Sequence, residues 1–324
     1  MIGFKIEPQV TVIALCFNHA QFLHECLNSI AAQTMQDFQL IVADDCSSDD
    51  SANLIQTWLA AHRPDAIFIR HTQNYGICNT LNEALSHASG EFISMIATDD
   101  KWRPNRIEHH IRVMQRQTDR VAIVYSDTAQ IDEAGNALPN TFLELQRPGF
   151  ILPSGRVFEA LADRNFVHPL AATIRRKSIA AVGGYDERMA VEDYDMWLRL
   201  AERYDFVYCP GIVSDYRIVS TSMTRTLFSK PTPKHSYGSF LLGEKWLLSG
   251  LLSCEQKARW SLAQADAAYW VYYNDHPHAA LCLWKAFKRT HRFRIFLLAL
   301  SCVMGISRSR IKTLANAVGF SRIN

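Results

Sequence analysis

The chain has 324 residues, of which 48% are hydrophobic and 20% are charged, and a formal net charge of +2; this composition is typical of a soluble globular protein with room for one large domain and a smaller one. Its eight cysteines occur singly, without a C-x-x-C pair, which argues against a zinc ribbon, a redox motif or a disulfide framework and indicates a reducing compartment. No apolar run approaches the roughly 18 residues that span a bilayer, and the N-terminus lacks a signal-peptide pattern, so we expect a cytoplasmic protein.

The N-terminal part of the chain alternates strand and helix signals. Strands are predicted at 10–17, 38–45, 66–71 and 91–98, and helices at 21–33, 47–62 and 80–88. Such alternation predicts a parallel sheet with helices on both faces. Ligands of these sheets bind outside the carboxyl ends of the strands. Four acids fall at those ends: Asp44, Asp45, Asp99 and Asp100.

The middle of the chain predicts further elements of the same domain. Residues 121–136 predict a strand and a turn containing Gly135, and 137–165 predict irregular structure with three prolines. Residues 170–187 predict a strand, a short helix and a Gly-Gly turn. A helix is predicted at 191–204, where acids suit the positive end of the helix dipole, and a pair of strands at 206–218.

From about residue 230 the sequence predicts helix after helix, with few strand signals. The prolines at 231 and 233 mark the change, and we predict one domain at 1–228 and a helical domain at 229–324. No acid follows Asp275. Beyond it stand nine basic residues: Lys285, Lys288, Arg289, Arg292, Arg294, Arg308, Arg310, Lys312 and Arg322. A basic end on an acidic body indicates an anionic partner.

The doublet Asp99-Asp100, at the end of an apolar strand, allows two interpretations. Adjacent carboxylates repel each other and raise each other's pKa unless a positive charge lies beside them. A solvated turn with Asp100 as a helix N-cap is one explanation. A divalent cation is the other, because hard cations bind carboxylate oxygens and often phosphates.

Five motifs together resemble the inverting nucleotide-sugar glycosyltransferases of family 2. They are VTVIALCFNHAQFLHECLNSIAAQT, FQLIVADDCSSDDS, NYGICNTLNEALSHASGEFISMIATDDKWRPNRI, VGGYDE and VEDYDMWLRL. The resemblance covers roughly residues 8–220 and leaves the C-terminal helices outside. It implies the GT-A fold, an α/β architecture with a mixed, mainly parallel sheet flanked by helices, to which this chain adds an α-helical C-terminal region.

The resemblance implies a nucleotide pocket built from loops after the first three strands. Asn18 matches a position that shapes the pocket, or it is a turn residue. Asp44 and Asp45 match an acidic pair, of which we expect Asp45 to accept a hydrogen bond from a base N–H; a solvated turn is the alternative. Asn74 and Asn82 match positions that contact base or ribose, or that build the loop.

The resemblance also answers the question of the doublet. It implies that Asp99 and Asp100 hold the ribose and a divalent metal, Mn²⁺ or Mg²⁺, bridging the donor phosphates. Ala97 stands where the family often has a further Asp, which leaves open which acid meets ribose and which meets metal. We expect Asp100 as the main ligand and Asp99 on ribose or metal.

The helix at 191–204 resembles the family's acceptor side. Asp193 matches the general base, which takes a proton from the acceptor hydroxyl during a single inverting displacement; the alternative is that Glu192 and Asp193 only stabilise the helix N-terminus. Glu192, Trp197 and Gly184 are weaker acceptor-side candidates, and Trp197 suits a core position better than a sugar platform.

The resemblance therefore implies a metal-dependent transferase in surface polysaccharide biosynthesis. The expected donor is a UDP- or dTDP-sugar, and the expected acceptor is a saccharide or a lipid-linked saccharide. The alternative is a nucleotide-sugar-binding or assembly module without turnover. Nucleic acid is not expected as a partner. Residues 285–324 suggest attachment to an anionic membrane surface on the cytoplasmic side; a terminal helix packed on its neighbours is the alternative.

Overall fold

The computed structural model describes residues 8–146, 152–219 and 231–305. The chain divides into two compact units, of which the first comprises Met1–Glu187 with Val191–Ser220 and the second Arg188–Ala190 with Thr221–Asn324. The predicted boundary between residues 228 and 229 lies outside the described residues, so the domains 1–228 and 229–324 stay a prediction.

The first unit alternates strands and helices along the chain. Its strands are β1 Val10–Cys16, β2 Phe38–Asp44, β3 Ile67–Arg70, β4 Phe92–Ala97, β5 Lys101–Trp102, β6 Val121–Ile131, β7 Ala172–Arg175 and β8 Asp205–Arg217. Its helices are α1 Leu23–Ala31, α2 Ser51–His62, α3 Ile77–Ser86, α4 Arg106–Met114, α5 Phe142–Gln146, α6 Phe158–Asp163, α7 Arg176–Ala181 and α8 Asp193–Arg203, with a 3₁₀ turn at Pro169–Ala171.

The strands form one sheet of eight in the order β3-β2-β1-β4-β7-β6-β8-β5. Pairs β1–β2, β1–β4, β2–β3 and β6–β8 are parallel, whereas β7 pairs antiparallel with β4 and β6, and β5 with β8. The central strands are buried on both faces, as parallel strands covered by helices must be. Helix α1, for example, covers them with the buried Leu23, Cys26, Leu27 and Ile30.

The sheet changes from parallel to antiparallel pairing around the buried side chain of Arg106. Its guanidinium donates to Ser94 Oγ on β4 (2.9 Å), to Thr173 Oγ1 on β7 (3.1 Å) and to the Ala172 carbonyl (2.6 Å). It also lies over the Trp102 ring at 4.1 Å. A buried charge needs such partners, so Arg106 joins α4, β4 and β7 at one point.

Three stretches differ from the sequence predictions. Residues 137–165 contain the short helices α5 and α6. In α6, Phe158, Leu161 and Ala162 bury an apolar face that the surrounding prolines obscured. The strand pair expected at 206–218 is one bulged strand, β8, in which Gly211 has φ +123° instead of making a hairpin turn. Helix α3 begins at Ile77, directly after Gly76 at φ +83°.

The second unit is helical in its described part. It contains α9 Pro233–Leu248, α10 Cys254–Tyr273, α11 Ala279–Thr290 and α12 Phe293–Val303. Its core includes Phe240, Ala268, Val271, Leu283 and Ile295. In the described ranges, no helix is both long enough and apolar enough to cross a membrane.

Candidate active site

The carboxyl ends of β1, β2 and β4 meet at one edge of the sheet. Strand β1 lies between the other two, with Cys16 opposite Asp44 on β2 and Leu15 opposite Ala97 on β4. The loops that follow these strands are therefore neighbours. As the sequence predicted, they bring Asn18, the Asp44-Asp45 pair and the Asp99-Asp100 doublet to the same edge.

Asn18 joins the loops after β1 and β2, and Asp44 stabilises the second of these loops from within. Asn18, at φ +59°, accepts a hydrogen bond from the Ser48 N–H (2.7 Å) and donates its own N–H to Ser47 Oγ (2.8 Å). Asp44 accepts the Ser47 N–H (2.9 Å). Both side chains thus build the loops, which for Asn18 was one of the two interpretations left open.

Asp45 holds the loop after β3. Its two carboxylate oxygens accept the N–H groups of Tyr75 and Gly76, each at 2.8 Å. The Asn74 amide donates to the Asp45 carbonyl (3.2 Å). The expected hydrogen bond from a base N–H to Asp45 stays a prediction: each carboxylate oxygen already accepts one protein N–H, and a base would share one of them.

His71 links this loop to α3, and the sequence analysis missed it. Its Nδ1 lies 2.8 Å from Asp45 Oδ1 and its Nε2 2.9 Å from Glu83 Oε2. Burial lowers the pKa of His71, but the two carboxylates outweigh burial and raise it above the ordinary value. Only the spatial pairing of residues 45, 71 and 83 reveals this bridge.

The Asp99-Asp100 turn is held by Arg217, which lies at the end of β8. Asp100 Oδ1 accepts the Arg217 N–H (2.7 Å), and the Arg217 Nε donates to the Asp99 carbonyl (2.8 Å). Burial first, and then the charge of Asp99, raise the pKa of Asp100 well above its ordinary value. His19 approaches from the β1 loop, with Nε2 3.6 Å from Asp99 Oδ2 and Nδ1 3.0 Å from Thr98 Oγ1.

The doublet fits a divalent cation as a partial ligand set. Two adjacent carboxylates, one of them buried and with a raised pKa, are stabilised by a cation beside them. Among the described residues no cluster of three or more His, Cys, Asp or Glu could hold a metal by itself. A cation here would therefore take its other ligands from a bound phosphate group and from water, as Mg²⁺ commonly does.

A second pair of acids opens α8. Asp193 Oδ2 accepts a hydrogen bond from Asn165 Nδ2 (2.9 Å), and Oδ1 accepts the Tyr194 N–H (2.6 Å). Burial raises the pKa of Asp193. Burial, followed by the charge of Asp193, raises the pKa of Glu192 to about 8. Asn165 is a site residue that sequence reasoning missed.

Trp197 does not face an acceptor. Its side chain is fully buried, and its indole N–H donates to the Val167 carbonyl at 3.0 Å. The acceptor-side assignment of Trp197 is therefore wrong, and the core position that the sequence also favoured is correct. Trp197 lies four residues after Asp193, so the two share a helix face. The spacing does not tell whether the tryptophan enters the core or meets a ligand, and only packing decides this.

Asn82 ties α3 to the Gly183-Gly184 turn. Its amide accepts the Tyr185 N–H (2.9 Å) and donates to the Tyr185 carbonyl (2.9 Å) and to Glu187 Oε1 (3.0 Å). Gly184, at φ +72°, passes so close that an added Cβ would lie 3.0 Å from Asn82 Oδ1. Asn82 thus builds the loop in this structure. The Tyr185 hydroxyl lies 3.1 Å from Met95 Sδ, which links the turn to β4.

The chain is similar to glycosyltransferases in sequence. The family model of glycosyl transferase family 2 matches residues 11–183, more than half of the chain. An uncharacterized glycosyltransferase of Methanocaldococcus jannaschii is 28% identical over 227 residues, 67% of this chain and 73% of that protein. One from Rickettsia felis is 27% identical over 196 residues, which cover 60% of this chain and 31% of the relative. The chain therefore spans only about a third of the length of that relative.

The fold is similar to solved structures of low sequence identity. A mannosyltransferase from Pyrobaculum calidifontis, in complex with GDP-Man and Mn²⁺, superposes with a TM-score of 0.59 at 17% identity, covering 95% of this chain and 83% of that one. S. aureus TarS 1–349, in complex with UDP-GlcNAc, gives 0.59 at 15% identity, covering 92% of each chain. The likeness confirms the predicted fold, a mixed and mainly parallel sheet flanked by helices with a helical C-terminal region.

The ionic bridge of His71 predicts a pH-dependent contribution to stability. Because its folded-state pKa is raised, the bridge contributes fully below the unfolded pKa of about 6.5 and is lost as pH rises through the folded-state pKa. We expect His71→Gln to lower the free energy of unfolding by about 2 kcal/mol at about pH 6 and by less at about pH 9. Urea unfolding at the two pH values measures this. His24→Gln, on the exposed face of α1, is the control; an equal loss at both pH values for His71→Gln would contradict the assignment.

Proposed function

The chain belongs to glycosyltransferase family 2, and from that premise we propose that it transfers a sugar from a nucleotide-diphosphate sugar to a hydroxyl with inversion at the anomeric carbon. The observation that carries the proposal is the separation of two acid groups on different elements. Asp99 and Asp100 follow β4, whereas Asp193 opens α8. One group suits a departing diphosphate and the other suits an incoming hydroxyl.

The donor end of the proposed site uses the loops after β1, β2 and β4. Asn18, Asp44, Asp45 and Asn74 brace the walls for a nucleotide, and Asn82 fixes the neighbouring turn. We assign the cation to Asp100, with Asp99 on the cation or the ribose. When bound, Mn²⁺ or Mg²⁺ would neutralise the charge that develops on the leaving diphosphate. The protein's own contribution is to hold the two carboxylates in a fixed turn.

The acceptor end uses Asp193 as the general base. The acceptor oxygen attacks the anomeric carbon as the bond to the nucleotide diphosphate breaks, and Asp193 accepts the hydroxyl proton. Burial and the charge of Asp193 raise the pKa of the neighbouring Glu192, which favours the protonated form of that group. Gly184 and Glu192 are the remaining acceptor-side candidates of this proposal.

The substrate class follows from the family and the structural neighbours. The neighbours were solved with GDP-Man and with UDP-GlcNAc, which supports a nucleotide sugar as donor; we propose a UDP- or dTDP-sugar. A saccharide or lipid-linked saccharide is the proposed acceptor, and surface polysaccharide biosynthesis the proposed setting.

Donor binding is expected to depend on the cation and on the doublet. A nucleotide sugar at about 100 times its Kd stabilises the folded state by about 2.7 kcal/mol, which raises the melting temperature by several degrees. We expect this rise with UDP-GlcNAc or dTDP-glucose in the presence of Mn²⁺, a smaller rise after EDTA, and loss of the Mn²⁺-dependent part in the double variant Asp99→Asn, Asp100→Asn. Asp37→Asn, exposed before β2, is the control. A Mn²⁺-dependent rise that survives in the double variant would exclude the doublet as the cation site.

Turnover is expected to depend on Asp193. Removing a general base typically lowers the rate by about 10²- to 10⁴-fold. Asp193→Ala should therefore lose transfer or donor hydrolysis to that extent while keeping the donor-induced rise in melting temperature. Glu202→Ala, exposed on the same helix, should retain activity. If the wild-type protein binds donors without any turnover, the binding-module alternative is correct.

The second unit presents an exposed apolar stripe that supports membrane attachment. Phe293, Leu297, Leu300 and Met304 are spaced three to four residues apart and are 70, 48, 40 and 58% exposed. This spacing places them on one helix face. Such a stripe with basic neighbours suits the interface of an anionic bilayer, and we propose this peripheral attachment at the cytoplasmic face.

The basic residues at positions 285–294 divide into two groups. Lys285 and Arg289 pair with Glu244 of α9, with Arg289 Nη1 2.8 Å from Glu244 Oε2, and so stabilise the unit from within. Lys288, over the Trp284 ring at 5.8 Å, and Arg294, over the Tyr269 ring at 5.3 Å, remain near the surface. The basic residues from 308 onward lie outside the described residues.

Vesicle binding tests the stripe without removing the buried Ile295 and Ala299 of α12. We expect the full chain to co-sediment with phosphatidylglycerol-containing vesicles and less with neutral ones. Phe293→Glu with Leu297→Glu should lower the bound fraction by about tenfold or more, since charges on the apolar face oppose insertion. Leu248→Glu, 69% exposed on α9, is the matched control. Equal vesicle binding by the double variant and the control variant would contradict attachment. Attachment would also be contradicted if light scattering revealed a dimer in which the stripe is buried.

A further inference from the structure

The segment at residues 161–167, before the 3₁₀ turn, is bound to α8 by three hydrogen bonds. The Tyr194 hydroxyl donates to the Leu161 carbonyl (2.7 Å), and the Trp197 indole donates to the Val167 carbonyl (3.0 Å). Between them, Asn165 Nδ2 donates to Asp193 Oδ2 (2.9 Å). The outer two bonds end on backbone carbonyls, whereas the middle one ends on a carboxylate. The segment thus presents a donor to Asp193 from a rigid support.

The orientation of the Asn165 amide is determined by its other end. Its Oδ1 accepts the Val167 N–H at 3.2 Å, so its NH₂ group faces Asp193. A flipped amide would bring an oxygen against the carboxylate and leave the Val167 N–H opposite an NH₂ group. The hydrogen-bond network therefore assigns the donor side without ambiguity.

We propose that Asn165 is a positioning residue for Asp193: it orients the carboxylate and favours its ionised form, so that the base is available near neutral pH. This inference rests on the proposed role of Asp193 as the base. A hydrogen bond donated to a carboxylate stabilises the charged form. A neutral amide achieves this without placing a competing positive charge beside the acceptor hydroxyl.

The groups around Asp193 have opposite effects on its pKa. Burial raises its pKa, and the Tyr194 N–H and Asn165 amide lower it. Glu192 lies next to it on the chain, and burial and the charge of Asp193 raise the pKa of Glu192. Burial first, with a smaller contribution from the charge of Asp193, raises the pKa of the Tyr185 phenol, from the turn before α8, and of the Tyr194 phenol, on α8, so both phenols are neutral near neutral pH. Asn165 is therefore the side chain that counters burial.

Removing the amide should raise the pKa of Asp193. A hydrogen bond to a charged group contributes enough to shift a pKa by about one unit. Asn165→Ala should therefore move the acid limb of the kcat–pH profile up by about one pH unit. Asn165→Asp keeps the shape of the side chain but replaces the N–H donor with a second carboxyl group. It should therefore move the acid limb of the kcat–pH profile further up than Asn165→Ala does.

The pKa can be measured without substrate. Carboxyl-¹³C-labelled aspartate reports each carboxylate by NMR, and Asp193→Asn assigns the signal of Asp193 by its loss. We expect the Asp193 midpoint to rise by about one pH unit in Asn165→Ala. Tyr194→Phe, which removes a neighbouring bond of the same segment but leaves the donors to Asp193 in place, should not move it. An unmoved midpoint in both Asn165 variants, or an equal shift in Tyr194→Phe, overturns the inference.

Kinetics separate this inference from the proposed function. With UDP-GlcNAc hydrolysis in Mn²⁺ as the readout, loss in Asp193→Ala together with an unmoved acid limb in both Asn165 variants overturns the positioning role alone. Full activity in Asp193→Ala overturns the assignment of the base, even if the NMR midpoint shifts. A shifted midpoint, a shifted limb and an unchanged KM together support both.

Discussion

The buried side chain of Arg217 makes the interactions on which the proposed donor end of the site depends. The Arg217 backbone N–H and Nε bind the Asp99-Asp100 turn, and the guanidinium also pairs with Glu25 of α1, donates to the carbonyls of Asp132 and Glu133, and lies 4.7 Å from the Phe22 ring centroid. An arginine stays charged in proteins and is costly to bury without partners. These partners therefore come from α1, from the turn after β6 and from the doublet, and they hold all three in a fixed relation.

The polar side chains at this edge of the sheet form hydrogen bonds with one another and with the neighbouring backbone. Asp44 and Asn18 brace two loops, Asp45 and His71 brace a third, and Asn82 fixes the turn at Gly184. Site groups whose own orientation is locked by neighbours are better preorganised than unsupported ones. The polar groups that the family resemblance assigns to nucleotide contact are thus hydrogen-bonded to neighbouring loops in this structure, and their contact with a nucleotide stays a prediction.

The antiparallel insertion of β7 gives the proposed acceptor end its separate support. Arg106 satisfies groups on β4 and β7 at once, so the strand that interrupts the parallel order is fastened to it. The segment containing Asn165 immediately precedes this insertion and is bonded to α8. The two acid groups are consequently held by different elements. Asp99 and Asp100 are held by the parallel half of the sheet and by Arg217. Asp193 is held by the segment before β7.

Several features followed from local sequence alone. Apolar runs of six to seven residues, such as Val10–Cys16 and Phe92–Ala97, predict buried strands because both faces must be covered. The placement of acids directly after those strands follows from the parallel order, since carboxyl ends then share one edge. The order and spacing of five motifs sufficed for the family resemblance.

Other features required the tertiary structure, because their partners are distant in the chain. Arg217 meets Glu25, 192 positions away, and Asn165 meets Asp193 28 positions away; no local pattern encodes such pairs. Whether Trp197 enters the core, and whether Lys285 faces solvent or Glu244, depends on which side of a helix is covered. Periodicity determines which residues share a face, but only the packing of neighbouring elements determines what that face contacts.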